Sequence, residues 1–144
     1  MCLHINKNRH PEYKPRIAGY NIIAYKAFDS NGYSNLISPY QRTMWKENEL
    51  VKVEMRGYYG DAIGKYLFPE ESVTTVYRGL HAALTHSEAG RHGFNIRRVI
   101  IPKGSEFYIS DCDKEIVANQ MIVLARNHGL MISKANYSKH KVKE

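Results

Sequence analysis

The sequence has only two cysteines, Cys2 and Cys112, in 144 residues. Two thiols cannot build a disulfide framework, and neither stands in a CxxC or Cys/His spacing of a zinc site, so a reducing cytoplasm is the expected compartment. Long apolar runs are missing too. No stretch approaches the ~18 residues of a membrane span, and the opening MCLHINKNRHPEYKPRIAGY holds no apolar core of a secretory signal. Phosphate-binding glycine loops are also absent. In GYYGDAIGK a P-loop would need Gly at position 59 and Ser or Thr at 66, and both are Tyr; Gly57, Gly60 and Gly64 do not fit GxGxxG.

What is present describes an ordered chain of single-domain size. Hydrophobic residues make up 43% and charged residues 24%, enough to bury one core. Lys and Arg number 21 against 14 Asp and Glu, a formal charge of +7 that attracts anionic partners without identifying them. Part of that excess lies in the last eleven positions, KANYSKHKVKE, where Lys134, Lys139, Lys141 and Lys143 follow no apolar period. A mobile basic tail over 134–144 is expected, after a domain spanning 1–133.

Periodicity favours strands. NIIAYKAF (21–28) is a β-branched and aromatic run, and the Asn31-Gly32 pair behind it predicts a hairpin turn returning through LISPY, with Pro39 ending that strand. In VKVEM, Val51, Val53 and Met55 alternate with Lys52 and Glu54, the pattern of a strand with one wet face. RGYYGDAIGKYLFPEES reads as a long loop. Further strands are expected in VTTVYRG (73–79), NIRRVIIPKG (95–104), SEFYIS (105–110) and IVANQMIVL (116–124), the last with a helical alternative. The expected fold class is α+β: a mainly antiparallel sheet with one or two short helices.

The densest chemistry lies in TVYRGLHAALTHSEAGRHGF, residues 75–94. Thr85 and Glu88 form a capping box that predicts a helix from His86, with Gly93 as its left-handed C′ residue. His86 and His92 are six residues apart, about 240° around a helix, so they share no metal face and no metal site is expected. In YRGLH, Tyr77 and Arg78 end a strand, Gly79 allows a bend or the close approach of a ligand, and His81 comes just before the helix. Arg78 offers a planar donor fork for phosphate or carboxylate. Its structural alternative is an ion pair with Asp61 or Glu71, with His81 bonded to backbone.

Supporting charge is expected from Arg98, Lys103 and Lys65, and stacking from Tyr77 or the loop tyrosines, Tyr59 among them. Arg97 and Arg98 must point to opposite faces of their strand, so at most one serves a given surface. The motif VYRG resembles ADP-ribosyltransferases, in which a strand Arg binds the NAD phosphates. That resemblance covers four residues; no STS or E-x-E follows, and Ser105, Ser110 and Glu115 are poor substitutes.

MCLHI, IAYKAF with SPY, YRGLHA and IIPKGSEFY followed by IVANQMIV resemble, over most of residues 1–124, a group of small proteins encoded by bacteriophages and bacteria. The resemblance implies a phage accessory protein in the host cytoplasm, with sequestration of a defence signal as a conceivable role, and supplies no cofactor or catalytic residue.

The leading expectation is a non-catalytic binder of a phosphate-bearing nucleotide or other anionic ligand, through Arg78, His81, Tyr77, Arg98, Lys103, Tyr59 and Lys65. One rival is a nucleotide-processing enzyme, ADP-ribosyltransferase-like or a phosphoesterase, with His81 as acid or base beside Glu106 or Glu115. Another is a basic antagonist of nucleic acid or a host protein. No cofactor and no membrane partner are expected, and a homo-oligomer is left open.

Overall fold

The computed structural model describes residues 3–28, 36–37, 44–58, 74–93 and 95–124. In chain order the strands are β1 (Leu3–His4), β2 (Arg16–Ile17), β3 (Ile22–Phe28), β4 (Leu36–Ile37), β5 (Met44–Trp45), β6 (Leu50–Lys52) and β7 (Arg56–Tyr58). They continue as β8 (Thr75–Arg78), β9 (Leu80–Ala83), β10 (Asn95–Ile101), β11 (Glu106–Ile109), β12 (Glu115–Ala118) and β13 (Gln120–Val123). A 3-10 turn covers Pro11–Tyr13, and one α-helix, α1, spans His86–Ala89. The fold is therefore nearly all β, a single domain of antiparallel sheet with one short helix among the described residues. None of those residues forms a helix long and apolar enough to cross a membrane.

The main sheet runs β2-β11-β12-β9-β3-β10-β13-β6, and a smaller one runs β1-β8-β7. β12 and β13 are halves of one segment, separated only by Asn119. The ladder from β12 through β9, β3 and β10 thus comes back to the segment it left, and the sheet curls around one of its faces. Asn119 turns that corner: its Oδ1 accepts from the Glu106 N–H, and its C=O accepts from the Val53 N–H.

Strand alternation divides the side chains between the two faces. The enclosed face carries Ala24, Phe28, Leu80, Ala82, Val99, Ile101, Ile116, Met121 and Val123, which pack with Trp45 into the largest apolar cluster. On the outer face, Tyr108 and Val117 pack beneath Leu3, Ile5, Met55 and Val76 of the smaller sheet and its flanks, and α1 lies over β3 and β9. Burying each large side chain contributes about 1.5–3 kcal/mol.

Several expectations change. Leu36–Ile37 pairs with Met44–Trp45 and does not return onto Ile22–Phe28, because β3 already has β9 and β10 on its two edges; Asn31-Gly32 lies outside the described residues. The stretch read as a long loop opens with the strand Arg56–Tyr58, and its remainder from 59 to 73 is also outside them. LHAA is a strand and not a lead-in to the helix: all four residues are buried, so the polar alternation that marks a half-wet strand is missing.

Gly79 does bring a close approach, but of the protein's own core. A Cβ there would sit 2.4 Å from Val117 Cγ2. The helix starts where expected, with Thr85 Oγ1 accepting from the Glu88 N–H at 3.2 Å, and it ends after one turn at Gly90. Gly93 is not a left-handed cap. It packs against Ala27 and Phe28, and of the described glycines only Gly104, in the turn between β10 and β11, has a positive φ. IVANQMIVL is extended, as the strand reading required, but broken into two strands.

Candidate anion-binding site

Lys26 sits within a strand whose enclosed-face positions, Ile22, Ala24 and Phe28, are otherwise apolar. Directly opposite it on β10 is Arg97, also facing inward. Two cations are thus placed side by side under the core. Lys26 Nζ donates to the His81 carbonyl at 2.6 Å and lies 5.4 Å from the centre of the Trp45 ring and 5.9 Å from that of Phe28. These aromatic faces offset part of the cost of burying the ammonium. Burial still lowers its pKa to about 8.

Arg97, 2% exposed, donates through Nη2 to the Leu124 carbonyl at 3.0 Å and to the Glu47 carboxylate. Its Nε and Nη1 are buried and have no acceptor, and the same is true of Trp45 Nε1. A donor sealed from water and left empty costs about 1–3 kcal/mol. Charge does not balance either: Lys26 and Arg97 are both cations, and among the described residues Glu47 is the one carboxylate paired with them. Glu47 is 26% exposed, so it marks the side on which this cluster faces solvent. Three buried nitrogens near these two cations, Arg97 Nε and Nη1 and Trp45 Nε1, are thus left without an acceptor.

The residues singled out from the sequence are not gathered at one place. Arg78 is exposed at the end of β8, opposite Arg56 on β7, which is itself 3.4 Å from Glu54. Tyr77 is half-buried beside it. His81 lies buried in the middle of β9, its two ring nitrogens have no partner, and burial followed by the nearby Lys26 charge lowers its pKa to about 3. It is neutral at physiological pH and brings no positive charge to an anion. Arg98 is half-buried on the outer face, in a row across the sheet that runs Glu115, Ala83, Tyr25, Arg98.

Lys103 is in the β10–β11 turn, its N–H bonded to Asn21 Oδ1 at 2.9 Å. Glu106 borders a groove of about 420 Å³ with Lys14, Val53, Glu54 and Asn119, a lining of mixed charge ill-suited to an anion. Tyr59, Lys65, Asp61 and Glu71 lie outside the described residues. Glu115 meets Glu88 and His92, the one grouping of metal-ligating side chains among the described residues.

Sequence reasoning missed Lys26, Trp45 and Glu47, and of the two strand arginines it favoured Arg98 over Arg97. One signal was legible: a lysine at an inward position of an apolar strand. No protein family matches the chain, and no curated protein or solved structure does so significantly, so the chemistry rests on these residues alone.

Proposed function

We propose that the protein binds a small anionic ligand, and that Arg97, Lys26 and Trp45 receive its charged group. A phosphate-bearing nucleotide is the ligand class favoured by the basic, tyrosine-rich sequence. The observation that carries this reading is the buried excess of donors: Arg97 Nε and Nη1 and Trp45 Nε1 without an acceptor, beside a lysine held by one backbone carbonyl. A buried cation without a carboxylate, as Lys26 is, destabilises a fold, and its retention has a reason if a ligand supplies the missing charge. The ligand displaces Glu47 from Arg97 as it arrives from solvent. Exposed Arg78 and half-buried Arg98 add to the field that draws it in.

No turnover is part of this reading, since a histidine with a pKa near 3 is a poor acid or base at neutral pH. If the chain is a phage accessory protein, as its sequence resemblance suggests, the ligand is a nucleotide signal of host defence and binding sequesters it.

The test is calorimetry and thermal shift of the purified chain with inorganic phosphate, pyrophosphate, NAD, cyclic nucleotides and short oligonucleotides. One small anion is expected to stabilise the protein, by about 2.7 kcal/mol at a hundredfold excess over Kd. Lys26→Met, and Arg97→Met combined with Glu47→Gln, should abolish the shift, while Arg78→Ala weakens it only slightly. The idea is lost if no small anion binds, or if binding survives both core variants and simply follows salt.

A further inference from the structure

We propose that Glu88, His92 and Glu115 form a divalent-metal site of the zinc type, separate from the anion site. Their ligand atoms, two carboxylate oxygens and one imidazole nitrogen, all lie within 4.8 Å of one another. A tetrahedral ion with bonds of ~2.1 Å holds its ligands ~3.4 Å apart, so small side-chain rotations close the shell. The backbones that carry them are anchored independently. Glu115 is in ladder with Ala83, Glu88 is fixed by the Thr85 cap, and the His92 N–H donates to the Ala89 carbonyl at 3.0 Å.

Electrostatics supplies the second argument. Two half-buried carboxylates converge, and like charges repel at close range unless a cation lies between them. The neighbouring cation, Arg91, is exposed, with its Nε 3.7 Å from Glu88 Oε2, so water screens most of its effect. The Glu115 carboxylate makes no hydrogen bond or ion pair with a described residue, although it is only partly exposed. A divalent ion would neutralise both carboxylates at once.

One nitrogen and two oxygens is a borderline donor set. It favours Zn2+ or Co2+ over Mg2+ and Ca2+, which prefer six or more oxygens. Three protein ligands at a partly exposed position leave a fourth open to water or to a ligand. The spacing argument that set aside His86 with His92 does not reach this site, because Glu115 comes from a strand well beyond the helix.

The experiment uses the untagged full chain, stripped with chelator. Co2+ is titrated with visible absorption as the readout and Zn2+ by calorimetry. One equivalent is expected, with the intense d–d bands of a tetrahedral ion, a raised Tm with Zn2+, and no shift with equal Mg2+ or Ca2+. His92→Gln and Glu115→Gln should each lower Zn2+ affinity more than about tenfold without lowering the metal-free Tm by more than a few degrees. If His92→Gln fails to fold, Glu115→Gln alone carries the comparison. Absence of a one-equivalent site, or its survival in Glu115→Gln at unchanged affinity, overturns the proposal.

Discussion

His10 and Arg97 are both sealed from solvent, in different parts of the molecule, and their surroundings treat them in opposite ways. His10 lies against the rings of Phe107 and Tyr108, its Nε2 accepts the Ile109 N–H at 2.8 Å, and its Nδ1 meets the Lys14 carbonyl at 3.1 Å. Both nitrogens are satisfied by backbone groups that would otherwise be empty. Arg97 has two N–H groups with no acceptor, Trp45 has another, and Lys26 adds a second positive charge beside them. Buried polar groups without partners occur elsewhere too, His81 among them, but around Arg97 the empty atoms are donors and lie where cations outnumber carboxylates.

The largest effect that would break this comparison is at His10. His10→Leu leaves the Ile109 N–H and the Lys14 carbonyl without their partner, and a loss of roughly 2–4 kcal/mol is expected in urea unfolding. A loss under about 1 kcal/mol would mean that His10 is no better integrated than Arg97.

The ligand-free Arg97→Met/Glu47→Gln protein should behave in the reverse manner. Replacing a poorly satisfied buried ion pair with a neutral pair is expected to change stability by less than about 1.5 kcal/mol, with a gain as acceptable as a loss. A drop of more than about 3 kcal/mol would make the pair a structural element and remove the contrast.

A smaller change at neutral pH is expected from His81→Leu, which deletes two empty buried nitrogens and should be neutral or slightly stabilising. Its clearer signature is in acid. Burial lowers the pKa of both His10 and His81 from 6.5, the latter to about 3, so the unfolded chain binds protons first as pH falls. Stability is then complete above about pH 6.5 and falls below it, with each group contributing at most about 1.4 kcal/mol per pH unit. His81→Leu should flatten that slope between pH 6.5 and 3, and an unchanged slope in thermal melts would place the acid sensitivity elsewhere.

The anion site titrates on the other side of neutrality. Lys26 has a pKa of about 8, so phosphate affinity should fall as pH rises through 8, and a flat profile in calorimetry would exclude Lys26 from the contact.

Much of the framework was legible in the residues. The β-branched runs at 21–28 and 95–101 are the two longest strands, Thr85 caps the helix, and Arg97 and Arg98 do face opposite ways. What escaped notice was hidden by burial itself. β9 shows no wet face because it is covered on both sides, and Gly79 was given to a ligand when Val117 fills the space. The two charge clusters escaped because their members are distant in sequence: Lys26 with Arg97, and Glu88 and His92 with Glu115.

Alternation, turn residues and caps are local, so the sequence by itself determined most of the segments that extend, where the helix begins and which side chains share a strand face. Which strands become neighbours depends on long-range registry, and only the tertiary structure decided that Lys26 lies opposite Arg97 and that Glu115 meets Glu88 and His92. The fold also decided which side of β10 would be closed, turning Arg97 from one of two equivalent surface arginines into a buried cation with empty donors.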